Sequence, residues 1–473
     1  MQQRIHQVVL RPEGETGATA QFGAWVSALR FEAIPREVVD YAKLCLLDGL
    51  GCGLFGATQK WGVIAADLAQ DLSGGGPASL WGRNGSASPT DTALANGTAI
   101  HGFEIDDIHT RSLMHPGAVT IPAALALAEV HGKSGRDFLT AMIAGYEIGL
   151  RVGTCAGVPH QMKGYHPSGT AGCLGSAAAA AHILGLSAEQ TTNALAIGAT
   201  QAAGLYCAVR TGAMTKRLHA GRAAQAGVLA AMLAARGFTG SPDALEAPDS
   251  GYMSTLAESA DLTPFVQSLG KEWETPQVGF KAYAACASAH TIIDSLDAMM
   301  KRGLTAANLE HLTIKMSRIG VNNVGWEYRP STIVAAQMNG FFTAGMKLVD
   351  GQSFIDQYRE ERIADPAIMN IIKKVEIVHD PELDIGGAPK RHAVKAHARA
   401  TDGRTWDQYV EQRRGSPQYP LARAEIEQKF QRTAGAALAA SAVDKLFKQV
   451  GSVESVTDMR EVGATLKSAK TGK

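Results

Sequence analysis

Three adjoining stretches, AVKAHARAT (393–401), DGR (402–404) and TWDQYVEQ (405–412), decide how the chain divides. Both outer stretches alternate small or apolar residues with polar ones, the period of a half-buried strand. Asp402-Gly403 between them is a strong short-range turn signal, so the segment predicts a β-hairpin. Upstream, HLTIKM (311–316) and KVEIV (374–378) alternate in the same way, with helical patterns between them. Residues 269–413 therefore read as an α+β unit. From about residue 18 to 265 the pattern is helical instead. Val38–Leu47, Ile121–Val130, Phe138–Val152 and Gln225–Ala235 carry apolar residues at intervals of three and four. Ser187-Ala-Glu-Gln190 forms a capping box, and SGGGP (73–77) and GFTGSP (237–242) are connections. From Leu421 the helical pattern returns, and the tail after Gly451 is expected to fray. The predicted fold is mainly α. A large all-helical domain is built from both chain ends, 1–268 and 414–473, and carries a smaller α+β lid, 269–413. A cleft between two such parts is a common place for a small-molecule site.

Composition narrows the function. The chain has 473 residues, 45% of them hydrophobic and 19% charged, which is enough to bury a large interior in two or three domains. Its 45 basic residues balance 45 acidic ones, which argues against a nucleic-acid or membrane-surface partner. The six cysteines, at 45, 52, 155, 173, 207 and 286, include no CxxC pair, so a zinc or iron–sulfur centre has no support. Scattered thiols read as small buried hydrophobes and fit a reducing cytoplasm. The opening MQQRIHQVVLRPEGE lacks the apolar core of a signal peptide, and no apolar run is long enough to span a bilayer. With 51 glycines and only 6% aromatics, the helices are expected to pack closely.

GCGLFG (51–56) matches the dinucleotide fingerprint GxGxxG, but it follows a helical pattern and no βα units succeed it. These glycines are expected to be close-packing positions.

Four segments carry chemistry. HGFEIDDIH (101–109) with His115-Pro116 places three carboxylates and three histidines within fifteen residues. It contains no HExxH pattern, and its alternative reading is a polar loop. GYHPSGT (164–170) repeats the His-Pro device. Proline biases the preceding histidine toward extended dihedrals, and an apolar helix follows each pair. Each histidine should thus stand just before a helix N-terminus, where exposed N–H groups favour anions. Two such ends converging would form a carboxylate pocket. TKRLHAGRA (215–223) sets Lys216 and His219 on one helix face, with Thr215 as the expected cap. Cations there oppose the helix dipole, which an anionic ligand would offset. KAYAACASAH (281–290) is the fourth segment; on its own His290 reads as a satisfied histidine at a helix start.

Taken in order, these segments resemble the MmgE/PrpD family over nearly the whole chain, most strongly from 90 to 300. The resemblance rests on ANGTAIH (95–101) with the acidic cluster and His115-Pro116, His166-Pro167 with Gly169-Thr170, Lys216 with His219-Ala220-Gly221, and 281–290. The resemblance implies a helical domain with a lid, a homodimer, and no metal or other cofactor. It places catalytic positions on Glu104, His115, His166, Lys216 and His290, with glutamate at 104 where the decarboxylase pattern has aspartate.

The activities known in the family all stabilise negative charge at a carbon next to a carboxylate. They are 2-methylcitrate dehydration, cis-aconitate decarboxylation and iminodisuccinate epimerisation. On this reading Lys216 offsets that charge with Arg217 or His219, and His166 or His115 moves the proton at carbon. His290 returns a proton or protonates a leaving hydroxyl, and Glu104 orients a histidine or acts as a base. Arg217, His219, Asp107 and Tyr165 are the expected substrate contacts. The expected function is a metal-independent lyase acting on a small di- or tricarboxylate, a dehydratase of the 2-methylcitrate type before the other two. The rival from another class is a polycarboxylate-binding protein without turnover. The density of proton carriers favours the enzyme.

Overall fold

The computed structural model describes residues 16–257, 261–385 and 387–468; the stretch read for a signal peptide, 1–15, lies outside them. Five helices make the centre of the helical part: Pro89–Ile100, Pro116–His131, Gly135–Met162, Pro167–Ile183 and Thr215–Ala234. They are rich in alanine and glycine, and the Pro167–Ile183 helix buries every residue except His182. A helix apolar on all sides needs neighbours on all sides. Small residues let those neighbours come close. A Cβ on Gly221 would lie 2.2 Å from the Leu94 carbonyl oxygen, and one on Gly97 would lie 2.9 Å from Gly221 Cα. That contact seats the start of the Lys216 helix beside the turn that holds His101.

The GxGxxG glycines sit inside the Arg36–Ala57 helix, not in a loop after a strand. A Cβ on Gly56 would lie 1.8 Å from the Ala99 carbonyl oxygen, and one on Gly53 2.6 Å from Trp81. Close packing explains them. The chain's C-terminal part comes back to the same helix. Gly51 makes room for Thr433 and Phe430 of the Arg423–Ala434 helix, and Lys429 pairs with buried Asp48 at 2.7 Å.

The expected fraying after Gly451 is not found among the described residues. Val453, Val462 and Leu466 are buried, and Gly82 donates to the Leu466 carbonyl at 2.8 Å. Apolar anchors dock the tail despite its polar sequence.

The α+β part holds a four-stranded sheet in the order Val375–His379, Leu309–Met316, Val394–Ala400, Thr405–Val410. The first pair is parallel and the other two antiparallel. The hairpin pairs Arg399 with Thr405 around Gly403, whose φ of 84° needs a residue without a side chain. Helices Ala287–Met300 and Gly340–Asp350 pack on each other and against this sheet. The fold is predominantly helical, as expected. No helix among the described residues is long and apolar enough to cross a membrane.

Candidate active site

Both His-Pro pairs do what their local chemistry predicts. His115 (φ −102°, ψ 85°) and His166 (φ −98°, ψ 110°) stand at the N-cap positions of the Pro116–His131 and Pro167–Ile183 helices. Neither imidazole caps its own helix, so both rings are free for other work. The two devices meet: the His115 N–H donates to the Ser168 hydroxyl at 3.0 Å, and the two rings lie 6.4 Å apart.

The acidic loop is pinned from several sides. Ile108 pairs with Gly279 in a two-residue antiparallel bridge, which draws Lys281 alongside the loop. Lys429 Nζ donates to the Ile105 carbonyl and, at 3.1 Å, to the Lys281 carbonyl, tying both strands to the C-terminal helix. Arg217 donates to the Gly102 carbonyl, and Gln337 Nε2 donates to the Phe103 carbonyl at 2.8 Å. These contacts hold Glu104 at φ 57°, a left-handed conformation that costs a non-glycine residue energy and is tolerated where the surroundings enforce it.

The result is a buried polar cluster. Lys216 Nζ bonds Glu104 Oε1, and Lys281 Nζ bonds Glu104 Oε2 at 3.0 Å. Lys281 Nζ also lies 3.7 Å from Asp106 Oδ1. Asp106 Oδ2 accepts from His101 Nδ1 at 2.7 Å, and His101 Nε2 accepts from Lys216 Nζ at 3.3 Å. His115 Nδ1 lies 3.1 Å from the same Asp106 oxygen, an ion-pair distance, though out of line for a hydrogen bond. His166 faces His219, with their Nδ1 atoms 3.1 Å apart, so one ring donates and the other accepts.

Burial sets the charge states. It pushes His101 down to about 3, with help from the Lys216 ammonium, and His219 to about 4 by the same two effects. His115 and His166 are also lowered, chiefly by burial. For Glu104 and Asp106 burial alone would favour the neutral acid. Lys216 and Lys281 outweigh it at Glu104; His115, His101 and Lys281 do so at Asp106, and both stay well below the carboxylate range. The cluster thus sets two lysines on two carboxylates held ionised, beside imidazoles that burial discourages from charging.

A small cavity of about 40 Å³ lies against this cluster. Of the expected site residues, Glu104, His115, His166 and Lys216 form its helical wall. The remaining five expected residues do not line it. Asp107 instead accepts the Gly117 N–H at 3.0 Å and the Tyr146 hydroxyl at 2.8 Å. Its carboxyl fills the helix N-terminus that was expected to receive substrate, and burial raises it well above the usual range. Arg217 stacks over Trp61, its guanidinium carbon 3.9 Å from the ring centre. His219 stands behind His166. Tyr165 stacks on His160 with ring centres 5.0 Å apart. His290 turns away to the Ala285 carbonyl at 3.2 Å, against the Tyr283 ring. Thr215 is not the cap of its helix; Met214 takes that position.

Sequence reasoning missed Lys281, His101 and Asp106 as site residues, although all three lie in the quoted segments. It also missed Ser288, Asn323 and His392, which close the cavity from the α+β side. No local signal marks the last two.

His101, Asp106 and His115 are also the one group among the described residues whose ligand atoms converge as a metal site requires, within 4.8 Å of one another. Two ammonium groups border that group, 3.7 Å from Asp106 Oδ1 and 3.3 Å from His101 Nε2. A divalent cation would meet their repulsion, so the donor set fits a carboxylate shared by two imidazoles better than a metal.

A larger cleft of about 810 Å³ runs between the Ala287–Met300 and Arg423–Ala434 helices. Its charges are spent on one another: Lys301 and Lys347 both pair with Asp297, and Arg414 with Glu425.

The MmgE/PrpD N-terminal domain family matches residues 20–264, and the MmgE/PrpD C-terminal domain family matches 283–452. The chain is 31% identical to the cis-aconitate decarboxylase-like protein oryM of Aspergillus oryzae, over 96% of this chain and 98% of that one. It is 28% identical to a cis-aconitate decarboxylase of Aspergillus terreus, over 94% and 95%. A mitochondrial 2-methylcitrate dehydratase of Yarrowia lipolytica is 24% identical over 72% of this chain and 68% of its own length.

Proposed function

Because this chain belongs to the MmgE/PrpD family, whose relatives named above include lyases, we propose that it is a carboxy-lyase of the cis-aconitate decarboxylase type. The observation that carries this reading is the pair of buried ammonium groups, Lys216 and Lys281, on one carboxylate in a cavity walled by neutral histidines. The near full-length decarboxylase relatives favour this reaction over the expected dehydratase, whose relative matches less of the chain at lower identity.

The chemistry needs those groups. In such a decarboxylation the bond to one carboxylate breaks, and its electron pair forms a new C=C. The electron pair of the old C=C then takes a proton at a carbon beside a second carboxylate. Lys216 and Lys281 oppose the charge that develops there, in a site where water cannot screen it. His115 supplies the proton: Asp106 stands at its Nδ1 edge, stabilises its imidazolium form and leaves Nε2 for the carbon. His101 keeps Asp106 and Lys216 in place. The cavity has room for roughly three waters. A six-carbon tricarboxylate is far larger, so the α+β part must lift to admit it and close again over it.

The test is NMR of the protein with cis-aconitate in heavy water. Release of carbon dioxide with one deuterium in the new methylene group is expected. No carbon dioxide, with water lost from 2-methylcitrate instead, would return the dehydratase. Lys216→Ala should lower kcat/KM by roughly a hundredfold or more, the scale of losing one preorganised charge donor. Full activity in that variant would refute the site.

A further inference from the structure

The helical wall accounts for the charged half of the cavity. The other half comes from three separate pieces of the α+β part. Ser288 lies in the first turn of the Ala287–Met300 helix, Asn323 on the Arg318–Val324 helix, and His392 just before the Val394–Ala400 strand. All three side chains are buried, His392 with 6% of its surface exposed. They form a directed chain. Asn323 Nδ2 donates to Ser288 Oγ at 3.2 Å, and Ser288 Oγ lies 3.2 Å from His392 Nδ1. An amide nitrogen can only donate, so the Ser288 hydroxyl is free to give its own hydrogen to Nδ1. That leaves His392 with its proton on Nε2. This nitrogen is buried and has no partner. Burial, with Arg391 and Arg413 nearby, keeps the ring neutral. The Ser317 hydroxyl, which caps the Arg318–Val324 helix, donates to the Arg391 carbonyl at 2.6 Å and so fastens the His392 backbone to the helix bearing Asn323.

A buried N–H without a partner is costly unless something arrives to accept it. We propose that Ser288, Asn323 and His392 form an uncharged cradle for the carboxylate of the substrate farthest from Lys216 and Lys281, and that it sets the preference for tricarboxylates over dicarboxylates. The cradle rests on the reading of the cavity as a polycarboxylate site, and it adds the residues that distinguish one polycarboxylate from another. The remote carboxylate is gripped when the α+β part closes, so recognition and exclusion of water occur together.

The experiment is calorimetric titration of the full-length protein with tricarballylate and, separately, glutarate. Tricarballylate has no double bond through which carbon dioxide loss could be relayed, so binding is measured apart from chemistry. Wild type should bind tricarballylate more tightly than glutarate. His392→Gln and Asn323→Asp should each weaken tricarballylate by about tenfold or more while changing glutarate less, as expected for loss of a hydrogen bond to a charged group. Ser288→Ala should act in the same direction and serves if either larger change unfolds the protein. Variants that keep the wild-type melting temperature and the wild-type ratio of the two Kd values would overturn the cradle. Wild type that binds tricarballylate but releases no carbon dioxide from cis-aconitate would overturn the decarboxylase and leave the cradle standing. Wild type that binds neither acid would overturn both.

Discussion

Binding of a tricarboxylate should pull a proton into the site. The empty cluster balances Lys216 and Lys281 against Glu104 and Asp106, with His101 held at about 3 and His219 at about 4. A ligand carrying three negative charges enters a site of no net charge. One charge about 4 Å from an imidazole is worth about 4 kcal/mol at the effective dielectric of a partly hydrated protein site. Each pKa unit corresponds to about 1.4 kcal/mol. A single ligand carboxylate beside His115 or His166, which wall the cavity, therefore raises that imidazole by about 3 pKa units, and three acting together keep at least one of them charged through about pH 8. The assay is calorimetric titration with tricarballylate at about pH 7.5 in buffers of different ionisation enthalpy. The slope of observed heat against buffer enthalpy should report uptake of about one proton per site. Linkage then requires Kd to rise about tenfold for each pH unit above neutrality. A heat independent of buffer would refute the charge balance described above. So would a Kd flat between pH 7 and 8.

Other consequences concern the framework. Glu129 is buried against the Ser79 N–H and hydroxyl at 3.1 and 2.5 Å, and burial pushes it up to about 7. Its folded pKa exceeds its unfolded value, so it costs stability increasingly between about pH 4.5 and 7 and in full above that. Glu129→Gln should raise the melting temperature at pH 8, by at most about 3 kcal/mol of stability, and have little effect at pH 4.5; equal effects at both would be wrong for this cause. Lys429→Met leaves Asp48 buried without its cation and frees the Ile105 and Lys281 carbonyls, which should cost roughly 3–5 kcal/mol. It should lower kcat even at temperatures where the variant is folded, and an unchanged kcat there would deny it a positioning role. Gly221→Ala drives a methyl group to 2.2 Å from the Leu94 carbonyl and should cost several kcal/mol, visible as lost soluble expression or a much lower melting temperature.

Much of the fold was legible because its signals are local. The DGR hairpin, the alanine-rich helices and the two His-Pro N-caps each depend on a residue and its near neighbours in the chain. Proline restricts the residue before it, and alternation marks one buried face, wherever the segment later packs. The reading erred where a segment's place was taken for a side chain's direction. The 281–290 stretch does reach the cavity, but through Lys281, Cys286, Ala287 and Ser288, while His290 faces the Ala285 carbonyl. The helix start after His115 does hold a carboxyl group, but Asp107 of the same chain provides it.

The sequence by itself therefore determined a mainly helical chain with an α+β segment, and four stretches of residues suited to carboxylate chemistry. Only the tertiary structure decided which atoms of those stretches meet. Glu104 and Lys281 are 177 residues apart, Lys429 and Ile105 are 324 apart, and Ser288 and His392 are 104 apart. Backbone preferences act over a few residues, so no local pattern records such pairings. Close helix packing through glycine and burial of each charge against its partner select them, and both act only once the chain is folded.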